Sequence, residues 1–192
     1  GYATCMAGKW QINDFRKHPD ALHHHGFDRF CAWTGYETGN PPSGERYFDP
    51  YVVRDDGYRG TMEGKFGPDV FCDFIIDFMK ANKDKPFFAY YPMVLIHTPF
   101  TKTPHNLDTT QEGIPLCGGM VDYMDHLVGR LIDTLEELAI RDRTIVVFAA
   151  DNGTVRGVKC RMKGHLVNGG KGSVREPGIC IPFIVNAPGR TP

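Results

Sequence analysis

Thr144-Ile145-Val146-Val147-Phe148-Ala149-Ala150 is a continuous apolar run that breaks at Asp151-Asn152-Gly153. Its β-branched and aromatic residues predict a strand covered on both faces, as in a parallel sheet. Just upstream, Met120, Met124, Leu127, Leu131, Leu135 and Leu138 recur at three- and four-residue steps, with Asp122, Asp125, Arg130, Asp133 and Glu137 off that face. That period predicts an amphipathic helix. Earlier, Gly67-Pro68-Asp69 starts another helix, with Pro at the first helical position and an acid in the first turn. Val70, Phe71, Phe74, Ile75 and Phe78 share one face of it. After Lys85-Pro86, Phe87 to Tyr91 begins a buried strand expected to reach Ile96. Residues 179–185 predict a further strand, which Pro182 makes an edge or irregular one. Helix, strand, helix, strand predicts an α/β fold with a largely parallel or mixed central sheet and helices on both faces.

The segment 11–66 reads differently. His18-Pro19, Asn40-Pro41-Pro42-Ser43-Gly44, Asp49-Pro50 and Asp55-Asp56-Gly57 punctuate it. It is expected to be long loops with one hairpin around Asp56-Gly57, and loops of that length are usually functional.

The 192 residues suit one compact domain, with 41% hydrophobic and 23% charged residues and a net charge of −1. Those values exclude a disordered chain and carry no basic excess for nucleic acid or an anionic membrane. The longest apolar stretch, Phe87 to Ile96, contains Pro92 and falls far short of the roughly 20 residues needed to span a bilayer. The six cysteines lie far apart with no Cys-x-x-Cys pair, which argues against a zinc knuckle or a thioredoxin-like motif.

Ligands of α/β sheets bind beyond the carboxyl ends of the strands. The apolar segment Tyr2 to Ala7 leads to Gly8-Lys9-Trp10, the second strand to His97-Thr98-Pro99 and the third to Asp151-Asn152-Gly153. Parallel strands would set a lysine, a histidine and an acid–amide pair on one rim. Asp151 and Asn152 are hard oxygen donors suited to Ca²⁺ or Mg²⁺, though two fall short of the 6–8 oxygens that Ca²⁺ takes. The same residues also make an ordinary Asp-Asn-Gly turn. Gly169-Gly170-Lys171-Gly172 presents a lysine as a point charge for an anion, or is a plain exposed turn. His97 can move a proton near neutral pH, while His23-His24-His25 reads as a solvated loop. No Gly-x-Ser-x-Gly or Cys–His pairing supplies a nucleophile.

Taken in order, Gly1-Tyr2-Ala3-Thr4 to Gly8-Lys9-Trp10, His97-Thr98-Pro99-Phe100, Met120 to Leu138 leading into Asp151-Asn152-Gly153, and Gly169-Gly170-Lys171-Gly172 resemble the formylglycine-dependent sulfatases of the alkaline phosphatase superfamily. Gly26-Phe27-Asp28 and Pro182-Phe183-Ile184-Val185 followed by Pro188-Gly189 are similar to the family as well. The resemblance implies a Ca²⁺ or Mg²⁺ ion bound by two early aspartates and a late Asp-Asn pair, matched by Asp151 and Asn152. It implies that Lys9 and Lys171 hold the sulfate and that His97 stands at the leaving-group oxygen as a general acid. The nucleophile would be a formylglycine made from Cys in a Cys-x-Pro/Ala-x-Arg motif.

The family's usual histidine two residues after the first lysine is Gln11 here, a substrate-binding amide that cannot shuttle a proton. Cys5-Met6-Ala7-Gly8-Lys9 imitates the formylglycine motif with Lys in place of its Arg. The expectation is therefore one incomplete sulfatase catalytic domain over residues 1–192, lacking the nucleophile segment and any C-terminal domain. By itself such a piece would be inactive; in the full-length protein it would hydrolyse sulfate esters. Two other readings remain open: a phosphoesterase or phosphonate hydrolase on the same scaffold, and a non-catalytic sulfate- or metal-binding relative. The resemblance further implies a periplasmic or secreted protein.

Overall fold

The computed structural model describes residues 1–36 and 45–191; the turn expected at Asn40–Gly44 lies outside them. The chain divides into two compact units, Gly1–Leu138 and Ala139–Pro192.

In the first unit the run Ala3–Lys9 forms β1, an inner strand of a mixed five-stranded sheet. It pairs in parallel with β2 (Arg29–Trp33) on one side and β5 (Phe87–Tyr90) on the other. Beyond β2 lie β3 (Tyr51–Arg54) and β4 (Arg59–Thr61), each antiparallel to its neighbour. Cys5, Met6 and Ala7 are wholly buried, as a strand with partners on both edges and cover on both faces requires.

The two faces are covered differently. Met6, Phe30, Ala32 and Val53 pack against Phe15 and against Ala21 and Leu22 of the short helix α1 (Ala21–His24). The opposite face carries α2 (Gly67–Asn82), whose Phe71, Cys72, Ile75, Ile76, Phe78 and Met79 are buried. The helix begins at Gly67-Pro68 as expected, but Val70 and Phe74 are only partly covered, so its buried face is turned toward Cys72 and Ile76. Behind it stands α3 (Leu116–Glu137), tied on by Tyr123, which donates to both carboxylate oxygens of Asp69 at 2.8 and 2.9 Å, and by Arg130, which pairs with Asp73.

Two expectations change here. Residues 11–66 hold α1 and β2 as well as the foreseen hairpin, which is β3–β4 turning through Asp55-Asp56-Gly57 with Gly57 at φ +89°. The strand from Phe87 ends at Tyr90 and does not reach Ile96. Pro92 lacks the N–H that a ladder needs; only its carbonyl still pairs, accepting from the Lys9 N–H at 2.8 Å. Nor is that strand fully buried: Phe88 and Tyr90 are 52% and 45% exposed.

In the second unit, β6 (Val146–Ala149) pairs antiparallel with β9 (Phe183–Asn186), which starts directly after Pro182. The apolar run predicted a parallel strand covered on both faces. Instead its partner within this unit runs the other way, and Ile145 and Val147 are 58% and 56% exposed. Composition cannot reveal this, because the direction of pairing is set by how the chain returns. Here it returns through the hairpin β7 (Lys159–Met162)–β8 (His165–Asn168) and the one-turn helix α4 (Glu176–Ile179). Among the described residues, no helix is long and apolar enough to cross a membrane.

Candidate active site

Because β1 and β5 are parallel, their carboxyl ends meet at one edge, and Lys9 and the segment leading to His97 emerge there. Lys9 closes β1. Gly8, at φ +128°, lets the backbones touch: a β-carbon there would lie 2.2 Å from the Pro92 oxygen. Trp10 N–H then donates to the Trp33 carbonyl at 2.8 Å, so the chain leaves the sheet along β2. Gln11 follows with an exposed side chain, its carbonyl accepting from the Tyr36 hydroxyl at 3.1 Å.

His97 is held on several sides. The Tyr47 hydroxyl donates to the His97 carbonyl at 2.6 Å and lies 3.2 Å from that of Val94. Burial pushes this phenol's ionisation above its usual range. Arg46 Nη2 lies 2.9 Å from His97 Nδ1 and donates to the Thr98 carbonyl at 2.5 Å. The Arg46 guanidinium sits over the rings of Trp33 and Tyr47, 4.9 and 5.0 Å from their centroids. Sequence reasoning passed over both Arg46 and Tyr47. Their one sequence signal is a basic residue set among aromatics in Arg46-Tyr47-Phe48, and their partners lie about fifty positions downstream.

In the second unit, Asp151 and Asn152 follow β6 after the single residue Ala150. Gly153 behind them is pressed against α4: a β-carbon would meet the Pro177 oxygen at 2.1 Å, and its N–H donates to the Gly178 carbonyl at 2.9 Å. The loop of Lys171 is pinned to the same place, the Lys171 N–H donating to the Thr154 carbonyl at 2.9 Å. A β-carbon on Gly169 would lie 2.1 Å from the Val155 oxygen. Gly169 and Gly170 thus permit close approach, while Lys171-Gly172 form a turn in which Gly172 is exposed. The acid–amide pair and Lys171 share one loop cluster, while Lys9, Gln11 and His97 share the β1–β5 edge.

Asp151 and Asn152 have the donor chemistry of a hard divalent cation, a carboxylate beside an amide carbonyl. Among the described residues no three His, Cys, Asp or Glu side chains gather into a metal cage. The pair fits such an ion as part of a larger oxygen set.

Other candidates fall away. Cys5 lies within β1 with no exposed surface, and burial pushes its thiol up to about 12, the reverse of what a nucleophile needs. His23, His24 and His25 are exposed as expected, but His23 and His24 lie in the short helix α1 and not in a loop. A groove of about 820 Å³ lies between α2, α3 and the β3–β4 hairpin, away from the Lys9–His97 edge. Its Asp69 and Asp73 pair with its own Arg130, which makes it a structural ion network.

The family described as Sulfatase matches residues 1–192. The chain is 29% identical over 209 residues to the N-acetylgalactosamine-6-sulfatase of Canis lupus familiaris, covering 100% of this chain and 38% of that protein. It is 30% identical to an arylsulfatase of Hemicentrotus pulcherrimus, covering 98% of this chain and 36% of that one. Among solved structures, that of Ps i-CgsB superposes with a TM-score of 0.74 at 24% identity, over 100% of this chain and 46% of the other. The chain thus spans less than half the length of these relatives, and the structural likeness carries the fold.

Proposed function

The chain belongs to the sulfatase family, and from that premise we propose that it forms part of the catalytic domain of an arylsulfatase-type sulfuric ester hydrolase. The observation that carries this is the Lys9–His97 edge: a lysine at the end of β1, and a histidine held by Tyr47 and Arg46 beyond the end of β5. The relatives' names favour an aryl or sugar sulfate as substrate.

Lys9 and Lys171 would each meet sulfate oxygens as point charges, Lys171 from a loop fastened to Thr154. His97 would face the leaving-group oxygen and support departure of the alcohol, its Nδ1 lying against Arg46 and the Thr98 carbonyl. Gln11 can donate a hydrogen bond to the oxyanion but cannot move a proton. Asp151 and Asn152, with oxygen donors from elsewhere in the protein, would hold Ca²⁺ or Mg²⁺, which would neutralise charge on the sulfate, while a formylglycine hydrate would supply the nucleophile. Residues 1–192 alone are expected to be inactive, and we place the full-length protein in the periplasm or outside the cell.

Assaying the full-length protein on nitrophenyl sulfate, a sulfated monosaccharide and nitrophenyl phosphate tests this. Sulfate hydrolysis is expected; turnover of phosphate alone would establish the phosphoesterase reading instead, and binding of sulfate without turnover the non-catalytic one.

A further inference from the structure

Charge is spread unevenly along the chain. Residues 139–192 carry nine Lys and Arg against three Asp and Glu, although the whole chain has a net charge of −1. Within that stretch, residues 152–175 hold Arg156, Lys159, Arg161, Lys163, Lys171 and Arg175 and not one Asp or Glu. A surface that serves only solubility intersperses both signs. A run of one sign repels itself, and an anionic partner relieves that repulsion.

The hairpin β7–β8 gives the run its shape. It turns at Lys163-Gly164, whose φ values of +49° and +84° are the positive pair of a tight two-residue turn. Lys159 and Arg161 stand two positions apart on β7 and so share a face. Asn168 and Leu166 lie opposite them, and all four are exposed. On the other face Met162 and Val167 are partly covered. Arg161 Nη1 donates to the Gly164 carbonyl at 3.4 Å, which brings its guanidinium toward the tip where Lys163 is exposed. Three cations thus mark the open face and the tip of an arm roughly 13 Å long.

The base of the arm is fastened to the candidate site. Gly169 N–H donates to the Val158 carbonyl at 2.9 Å and Gly157 N–H to Asn168 Oδ1 at 3.1 Å. Lys171 follows that base directly, in the loop cluster that also carries Asp151 and Asn152. Among the described residues the ion pairs fall elsewhere, on Arg16, Arg29, Arg54 and Arg130.

We propose that the β7–β8 hairpin is an anion-binding arm: Lys159, Arg161 and Lys163 hold sulfates of a multiply sulfated chain other than the sulfate being hydrolysed. The inference rests on the sulfatase reading for its ligand, since that reading sets one sulfate at Lys171 and the arm springs from the same loops. Sulfate esters stay ionised at physiological pH and offer oxygens to ammonium and guanidinium alike. One exposed pair is weak, but several pairs engaged by one chain reinforce each other. Single-stranded nucleic acid is the competing flexible polyanion, and its bases stack on aromatic rings. Residues 151–182 contain no Phe, Tyr or Trp.

The test replaces Lys159, Arg161 and Lys163 together by Ser in the full-length protein. On a multiply sulfated oligosaccharide the variant should raise KM about 3- to 100-fold with kcat little changed, and nitrophenyl sulfate turnover should be unaffected. Added salt should narrow the difference, because it screens exposed pairs. A second variant, Lys159→Arg with Lys163→Arg, keeps the charge and should behave as the wild type. Independently of turnover, heparin should bind the wild type more tightly than the triple variant, and more tightly than a single-stranded oligonucleotide of equal charge binds the wild type. An unchanged KM on the oligosaccharide in the triple variant overturns the proposal, and so does preference for the oligonucleotide, which would assign the arm to nucleic acid. If the protein hydrolyses no sulfate ester, heparin binding that depends on these three residues supports the arm and removes the enzymatic reading, while its absence overturns the arm as well.

Discussion

A β-carbon on Gly8 would stand 2.2 Å from the carbonyl oxygen of Pro92, so these two residues meet backbone to backbone, one position before Lys9. That contact joins the end of β1 to the segment leading to His97. Gly8→Ala adds a clash with main-chain atoms to the strain of φ +128°. It should destabilise the fold by about 2–4 kcal/mol. Urea unfolding measures this, and an alanine variant as stable as the parent would show that the contact is not made.

Neutral replacement of either sulfate-binding lysine should weaken inorganic sulfate as an inhibitor of the full-length enzyme. One charge-assisted bond is worth about 1.5–3 kcal/mol, so Lys9→Met and Lys171→Met should each raise the inhibition constant about 10- to 150-fold. Unchanged inhibition in both variants removes the assignment.

His97→Ala should cost far more on an alkyl or sugar sulfate than on nitrophenyl sulfate. A basic alkoxide needs a donor as it leaves, and a nitrophenolate does not. The difference should approach the ~10²–10⁴-fold range of positioned proton donors. Equal losses would mean that His97 only holds the sulfate or the loop.

Asp151 and Asn152 supply only part of a Ca²⁺ shell of about 6–8 oxygens. Calorimetric titration should find stoichiometric Ca²⁺ binding in the full-length protein, its loss in Asp151→Ala, and little or no binding by residues 1–192 alone. Tight binding by the short chain would contradict a shared ligand set.

Burial pushes the thiols of Cys5, Cys31 and Cys72 up to about 12, while Cys160 and Cys180 are exposed. Folding holds the neutral thiols, so their stabilising effect is complete below their ordinary value of 9.0 and fades as pH climbs toward about 12. Iodoacetamide at pH 8 should label Cys160 and Cys180 of the native chain and spare these three. Rapid labelling of Cys5 would reopen its candidacy as a nucleophile.

Local chemistry was enough to read some elements. The Pro68 start of α2, the long apolar stripe of α3 and the Asp55-Asp56-Gly57 hairpin each follow from residues within one or two turns of one another. So does the placement of Lys9 and Asp151 just where an apolar run stops. The ordered motifs from Gly8-Lys9-Trp10 to Gly169-Gly170-Lys171-Gly172 sufficed to place the chain among the sulfatases.

What long-range contact decides was hidden. Five residues, Arg29–Trp33, become a strand because β1 and β3 offer hydrogen bonds on both sides, and nothing within those five residues states it. The strand from Phe87 stops at Tyr90 because Pro92 cannot continue the ladder, while its carbonyl is claimed by Lys9. β6 runs antiparallel to its partner because the chain doubles back through β7, β8 and α4 before forming β9. Arg46 reached His97 across the fold, and only the tertiary structure could make it a candidate. Sequence alone determined which residues carry charge and where the apolar runs end, since those depend on composition and short-range period. Which of those charges face one another was settled by packing, because a buried cation finds its acceptors in space and not along the chain.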